Sequence, residues 1–261
     1  MQRGHAYWAA AVAPPLSILQ RYPACWVNKR RLAVKALGGK CGLSATALKY
    51  LACLFMLIDH IGLLLFPQIV VLRDIGRLSF PLFAFMLANG YRHTSNYWRY
   101  LLRLVVFAAG FQWFFALIVS PNYLNIFATM AVGLIAIRLG DEARKRLDGS
   151  YGQVACLAIG VLFCVIGELI KVDYYWYGIA LIYTAWLFFD KLPALAMVWF
   201  LVTLAFAWPI NLLRMSQIFA LLALVPISWY NGQRGRGNRW FFYIFYCAHL
   251  IILYLIKLWW F

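Results

Sequence analysis

The sequence predicts an all-α fold, a polytopic integral membrane helical bundle with about nine transmembrane helices. Apolar residues make up 65% of the 261 residues and charged residues only 12%. A soluble domain is about half apolar and about a quarter charged. The mean hydropathy is +0.77, and the apolar residues lie in runs of roughly 20, the length that a helix needs to cross a bilayer.

The apolar runs are separated by proline, glycine and charge signals such as Pro67, the segment 120–122 and the segment 232–237. The second run is short and polar at both ends, which favours a half-helix or a helix tilted inside the bundle. The predicted spans lie at 47–66, 75–91, 100–119, 123–139, 151–170, 174–190, 192–210, 214–230 and 240–260.

Two regions are predicted. Residues 44–261 form the transmembrane domain, because no connection between spans is long enough to fold separately. Residues 1–43 are interpreted as a basic, unstructured cytoplasmic extension. Its weak apolar stretch is interrupted by Pro14 and Pro15, whereas a signal peptide has an unbroken apolar core.

The formal net charge of +16 indicates orientation rather than nucleic-acid binding. Basic residues concentrate in alternate connections, which is typical of cytoplasmic loops. This asymmetry predicts a multi-pass membrane protein with a cytoplasmic N-terminus, a C-terminus on the opposite side, and lipid as its surroundings. No basic stretch is interleaved with exposed aromatic residues outside a predicted span, so nucleic acid is not an expected partner.

Asp59 and His60 stand side by side inside the first predicted span. An ionised aspartate near the centre of a transmembrane helix costs roughly 2.5–3.5 kcal/mol on insertion scales, and such residues mark sites of ion, proton or group transfer. Arg77 is the predicted ion-pair partner of Asp59, and Gly62 would let another helix approach closely. The alternative is an ion pair that only fixes the order of the helices.

The last predicted span carries a second polar group, His249, near its centre. Tyr246 lies three residues earlier and therefore on the same helix face. A tyrosine–histidine face can relay a proton or polarise a carbonyl, because imidazole titrates near neutral pH. The alternative is a histidine that is only hydrogen-bonded to a neighbouring carbonyl.

Further polar residues are predicted to share one cavity with Asp59 in the outer half of the bundle. A metal site is not expected, because the six cysteines show no ligand spacing with other cysteines and only Cys247 lies close to a histidine. The candidate substrate-binding residues in this half are Asn125, Glu168, Asp173 and Tyr177.

Six motifs, in order, resemble the TraX family of F-pilin acetylases and fimbria-associated membrane proteins. The combination of M-x-x-D-H, G-R-x-x-F-P and a terminal Y-x-x-H-L is specific, although the basic extension is not part of the family pattern. Arg103, within one of these motifs, is a further candidate for substrate binding. The motifs are LKYLACLFMLIDHIG (Leu48 to Gly62), IGRLSFPLFAFMLANGYRHT (Ile75 to Thr94), RYLLRL (Arg99 to Leu104), LNIFATMAVGL (Leu124 to Leu134), DYYWYG (Asp173 to Gly178) and FYCAHLIILYLI (Phe245 to Ile256).

The resemblance implies an acetyltransferase of the bacterial inner membrane that moves an acetyl group to the N-terminal amine of a pilin or similar cell-surface acceptor. Acetyl-CoA is then a donor substrate, and its phosphates suit the arginine-rich inner loops. His249 or His60 would take the amine proton or carry the acetyl group, while Asp59 would orient a cationic or imidazole partner. Arg77, Asn125 or a tyrosine hydroxyl would stabilise the oxyanion.

Three alternatives stay open. A secondary transporter would also bury ionisable residues near the midplane, but would move a substrate without acetylating it. A non-catalytic pilus-assembly protein would tolerate loss of His249 and Asp59. An O-acetyltransferase of a surface glycan would share the chemistry and differ in the acceptor.

Overall fold

A computed structural model describes residues 42–208 and 215–260, which form ten α-helices and one 3₁₀-helix. The predicted extension, residues 1–43, lies outside the described residues apart from Gly42 and Leu43. The helices are α1 (Ala45–Leu64), α2 (Val70–Gly76), α3 (Ser79–His93), α4 (Tyr97–Ile118), α5 (Ile126–Arg146), α6 (Gly149–Leu169), α7 (Tyr175–Leu187), α8 (Leu192–Ala207), the 3₁₀-helix (Ser216–Ala223), α9 (Leu224–Ser228) and α10 (Arg239–Trp260).

The predicted all-α membrane class is confirmed. Each of the nine predicted spans overlaps helical structure, and the short helix α2 was not predicted. In the described part of the chain, four helices are long and apolar enough to cross a membrane, namely Ala45–Leu64, Tyr97–Ile118, Gly149–Leu169 and Trp240–Trp260. The crossing of the bilayer by all nine segments stays a prediction.

Polar caps explain where several of the helices begin. The Ser44 hydroxyl accepts a hydrogen bond from the backbone N–H of Ala47, and the Asn96 side chain accepts one from Arg99. A serine or asparagine in this position satisfies a backbone donor that the first turn of a helix leaves free. Pro193 lies in the first turn of α8, where its missing N–H costs nothing.

Two short helices, α3 and α7, form the centre of the bundle. Most of their residues are buried, and they pack against each other and against α5. The longer helices α4 and α6 instead expose large apolar side chains, such as Trp113 and Leu117 on α4 and Val161 and Leu169 on α6. An apolar exterior around a packed interior is the arrangement that a lipid environment favours.

The connections that the charge pattern assigned to one side contact one another at one end of the bundle. At the basic end, Arg92 forms an ion pair of 2.6 Å with Asp190, and the Tyr91 hydroxyl donates a 2.7 Å hydrogen bond to Asp141. At the opposite end, the backbone N–H of Leu124 donates to Lys171 over 2.9 Å. The predicted separation into two ends is therefore present, and its orientation relative to the cytoplasm stays a prediction.

The start of α1 is tied to the connection between α9 and α10. The backbone N–H of Leu43 donates to Trp229 over 2.8 Å, and Leu43 accepts from Asn231 over 3.0 Å. The Thr46 hydroxyl donates to the carbonyl of Arg234 over 2.8 Å. These contacts bring the final helix beside the first, which positions the site described below.

Candidate active site

Helix α2 lies directly on the face of α1 that carries Asp59. A Cβ atom built on Gly62 would lie 2.8 Å from the Leu72 Cβ atom, and one built on Gly76 would collide with Asp59. Glycine is thus required at both positions for the two helices to approach so closely, as was predicted for Gly62. The close approach brings the carboxylate of Asp59 onto the guanidinium of Arg73.

The predicted ion pair of Asp59 with Arg77 is wrong, because Arg73 occupies that position one helical turn earlier. The two arginines are four residues apart and lie on one face of the same chain segment. Arg77 interacts electrostatically with the Tyr174 hydroxyl, with Asp59 and with Asp173. We call the five residues Asp59, Arg73, Arg77, Asp173 and Tyr174 the Asp–Arg cluster.

A strained connection between α6 and α7 supplies two members of the cluster. Two non-glycine residues of the connection, Lys171 (φ 54°) and Tyr174 (φ 63°), have left-handed backbones, as does Tyr175 (φ 51°), the first residue of α7. Strain of this kind persists only where surrounding contacts enforce it, and it concentrates at functional sites. Burial, together with the nearby Asp59 carboxylate, raises the pKa of Asp173 to about 7, against the opposing effect of the arginines.

The two intramembrane histidines lie against each other. The Nε2 atom of His249 is 3.0 Å from the Nδ1 atom of His60, and the ring centroids are 4.9 Å apart. The His249 side chain is buried, with 5% of the residue exposed. Two helices that are remote in the sequence, α1 and α10, therefore contribute one ring each to a histidine pair.

The hydrogen-bond pattern assigns the tautomers of this pair. The Nδ1 atom of His249 lies 2.7 Å from the carbonyl of Phe245, which can only accept a hydrogen bond. His249 therefore carries its proton on Nδ1, and its Nε2 atom has a free lone pair. The Nδ1 atom of His60 lies 2.9 Å from the carbonyl of Met56, and its proton is shared between that oxygen and His249. The Nε2 atom of neutral His60 is left unprotonated, with a free lone pair.

A cavity of about 450 Å³ opens at the basic end of the bundle, and we call it the basic cavity. Its lining is charged and polar near Thr46 and apolar or aromatic at greater depth. The Nε atom of Arg103 is buried and has no hydrogen-bond partner among the described residues. The polar and basic residues that line the cavity include Lys49, Asn89, His93, Tyr100, Arg103 and Arg234.

The basic cavity reaches the histidine pair through Met56 and Tyr246, both of which line it. Met56 supplies the carbonyl that contacts His60, and the ring of Tyr246 lies 5.8 Å from that of His249. The Tyr246 hydroxyl interacts electrostatically with the backbone of Ile126, and a phenol can donate as well as accept, so its proton is available for a ligand. The predicted Tyr246–His249 face is therefore present.

The remaining predicted residues do not form one cavity with Asp59. Asn125 is fully buried, donates to Ala108 and Gln112, and caps α5 at Phe127, so its side chain is occupied by the fold. The exposed Glu168 contacts the backbone N–H of Trp176 and lines a separate apolar groove.

The last two predicted residues, Tyr177 and Arg103, lie in different parts of the bundle. Tyr177 is buried at the cluster side, stacks on Phe206 at 4.6 Å and places its hydroxyl 3.3 Å from the Thr203 hydroxyl. Arg103 belongs to the basic cavity instead. Among the described residues no group of three or more histidine, cysteine, aspartate or glutamate side chains could hold a metal ion.

Sequence reasoning did not assign Arg73, Tyr174 or Lys49 to the site. The four-residue spacing from Arg73 to Arg77 was a signal for the first, because it places both on one helical face. Tyr174 gave no local signal, since its position depends on a left-handed backbone. Lys49 was hidden within an apolar span, where it lies two helical turns before Met56.

The fold and the site together define a class: a multi-pass helical membrane protein with a buried histidine pair between a basic cavity and an Asp–Arg cluster. Residues 44–257 match the family described as TraX protein, and the chain belongs to that family.

Two relatives are similar to this chain. Probable fimbrial assembly protein FimC, serogroup H1, of Dichelobacter nodosus is 26% identical over 248 residues, which cover 80% of this chain and 94% of that protein. Uncharacterized protein RP591 of Rickettsia prowazekii (strain Madrid E) is 53% identical over 38 residues, 15% of each chain. No solved structure matches the chain.

Proposed function

We propose that this protein is a membrane-embedded acetyltransferase that moves an acetyl group from acetyl-CoA to the N-terminal amine of a pilin or similar cell-surface acceptor. The observation that carries the proposal is the 3.0 Å contact between His249 Nε2 and His60 Nδ1 beside the floor of the basic cavity. Membership of the TraX family and the fimbrial name of the D. nodosus relative support the choice of acceptor. The proposal includes nine crossings of the inner membrane with a cytoplasmic N-terminus.

The basic cavity is suited to the donor. Lys49, Arg103 and Arg234 line it and offer charge-assisted hydrogen bonds to phosphate oxygens. The buried, unpartnered Nε atom of Arg103 is a donor for which the fold supplies no acceptor in its described part. The lining turns apolar and aromatic with depth, which suits a pantetheine arm, and the thioester would lie near Met56 and Tyr246.

The histidine pair is suited to general base catalysis. The acceptor nitrogen attacks the thioester carbonyl carbon, so that a C–N bond forms and the C–S bond breaks. His60 Nε2 takes the proton that the nitrogen loses, and the Nδ1 proton of His60 moves to His249 Nε2. The CoA sulfur leaves as a thiol after taking that proton back from the pair, and the Tyr246 hydroxyl holds the oxyanion meanwhile.

The test is the intact mass of secreted pilins and surface glycans from cells that carry the wild type, His249→Ala or His60→Ala at equal membrane abundance. We expect pilin to gain one acetyl group with the wild type and to lose it with either variant, because each ring serves the same relay. Tyr254→Phe, on the same helix as His249, is the matched control. An unmodified pilin with an acetylated glycan would move the acceptor to the alternative class, and substrate flux without any acetylated product would indicate a transporter.

A further inference from the structure

The Asp–Arg cluster lies on the side of the histidine pair that faces away from the basic cavity. None of its five members lines that cavity. His60 interacts electrostatically with Arg73 and Arg77, whereas its Nδ1 atom contacts Met56 on the cavity side. The Nε2 atom of His60 is therefore the ring nitrogen that the contacts with Met56 and His249 leave free, on a histidine that lies in the field of Arg73 and Arg77.

Arg77 carries a buried donor that nothing in the described chain accepts. Its Nε atom is inaccessible to solvent and without a hydrogen-bond partner, although the guanidinium also contacts Tyr174. Leaving such a group unpaired costs more than a typical hydrogen bond gains. The Asp59 Oδ1 atom is unpaired too, but it abuts Gly76, which leaves it no room for a ligand.

The charge of the cluster favours a neutral amine over an ammonium ion. Arg73 and Arg77 are opposed by the Asp59 carboxylate and by Asp173, whose pKa of about 7 leaves it partly protonated at neutral pH. Positive surroundings lower the pKa of a bound amine. An α-amine, with an ordinary pKa of about 7.7–8.0, loses its proton there far more readily than a lysine side chain at about 10.4.

We propose that the Asp–Arg cluster is the acceptor site, where Arg77 Nε holds the first backbone carbonyl of a peptide and its α-amine lies against His60. The inference rests on the proposed function and adds to it the side of approach. Donor and acceptor reach the histidine pair from opposite ends of the bundle, and the thioester extends past Met56 so that its carbonyl carbon meets the amine beside His60 Nε2. The site also selects α-amines over lysine ε-amines, because only the α-amine is neutral in the field of the two arginines.

The first test measures acceptor and donor kinetics on the full chain in nanodiscs, with the peptide amide Ala-Leu-Ala as acceptor. We expect Arg77→Gln to raise the KM for this peptide roughly tenfold or more, the loss of about one charged hydrogen bond. The KM for acetyl-CoA should stay within about twofold, and Arg103→Gln should show the reverse pattern. A raised KM for acetyl-CoA in Arg77→Gln, or an unchanged KM for the peptide, overturns the assignment.

A second variant and a binding measurement keep the test independent of folding and of turnover. Tyr174→Phe removes the hydroxyl beside Arg77 and keeps the ring that stacks on Phe80 at 4.4 Å, so weaker peptide binding is expected without a loss of melting temperature. Calorimetry with the free-amine peptide, without donor, should show binding that the Nα-acetyl peptide lacks and that Arg77→Gln abolishes. Binding without turnover would overturn only the proposed acetyl transfer, whereas turnover with binding insensitive to Arg77 would overturn only the acceptor site.

The second test separates the two ends. Oriented proteoliposomes are supplied with acetyl-CoA on one side and the peptide on the same or the opposite side. We expect acetylated peptide only when acetyl-CoA faces the Arg234 end and the peptide faces the Arg77 end. Product formed with both reactants on the Arg234 side would show that the acceptor also uses the basic cavity.

Discussion

Removing Arg73 should destabilise the protein strongly, because it leaves the Asp59 carboxylate buried without its ion-pair partner. The Asp59 side chain is 11% exposed and that of Arg73 is 24% exposed. Breaking a buried ion pair by removing one partner costs about 3–5 kcal/mol. Arg73 is partly exposed and Arg77 still interacts with Asp59, so we expect Arg73→Met to lower the free energy of unfolding by about 2–4 kcal/mol.

The assay is denaturant unfolding of the purified protein in mixed micelles, followed by helical circular dichroism. Arg92→Met is the matched control, because it breaks a 2.6 Å pair with Asp190 whose side chains are 32% and 50% exposed. Surface pairs contribute about 0–1 kcal/mol, so that variant should remain near the wild type. The double variant Asp59→Asn with Arg73→Met should recover most of the loss, since no buried charge is left alone.

A loss of less than about 1 kcal/mol in Arg73→Met, equal to that of Arg92→Met, would refute the reasoning. Failure of the double variant to recover would show that Arg73 acts through packing of its side chain rather than through the charge of Asp59.

Three further outcomes are expected. Gly76→Ala should lower the free energy of unfolding by about 1–3 kcal/mol in the same assay, because its Cβ meets Asp59, whereas Gly110→Ala, whose Cβ meets nothing within 4 Å, should not. Asn125→Ala should cost about 0.5–2 kcal/mol as the α5 cap is lost, and an unchanged melting temperature would contradict the capping role. Burial of protonated Asp173 stabilises the fold fully below the unfolded pKa of 3.8, and this stability is lost as pH rises through the folded pKa of about 7. The pH dependence of the melting temperature over that interval should therefore flatten in Asp173→Asn, and an identical profile would contradict it.

The positions of the long helices were predictable because each is an apolar run bounded by caps, prolines or charges. Helix α2 was missed, since seven residues with an arginine and an aspartate carry too little apolar periodicity. Its packing on α1 depends on Gly62 and Gly76, whose close contacts with the other helix become visible only in the structure. The wrong choice of Arg77 for Asp59 follows from that omission, because the unrecognised helical turn brings Arg73 to the carboxylate first.

The members of the site were partly predictable and their pairing was not. Asp59, His60 and His249 were found because each is costly inside a membrane. His60 and His249 are 189 residues apart, so no local pattern could show that their rings touch. Asn125 was misplaced for a related reason: a buried asparagine satisfied by its own fold looks, in sequence, the same as one that binds a ligand.

The two central helices are shorter than the hydrocarbon layer of a bilayer is thick. At a rise of about 1.5 Å per residue, the 15 residues of α3 measure roughly 22 Å and the 13 of α7 roughly 20 Å. The hydrocarbon layer is about 30 Å thick. In the proposed topology, connections and polar recesses beside α3 and α7 therefore fill about a third of that layer. In the proposed transfer, donor and acceptor therefore approach each other across only the short remaining distance, without a channel and without movement of the long outer helices.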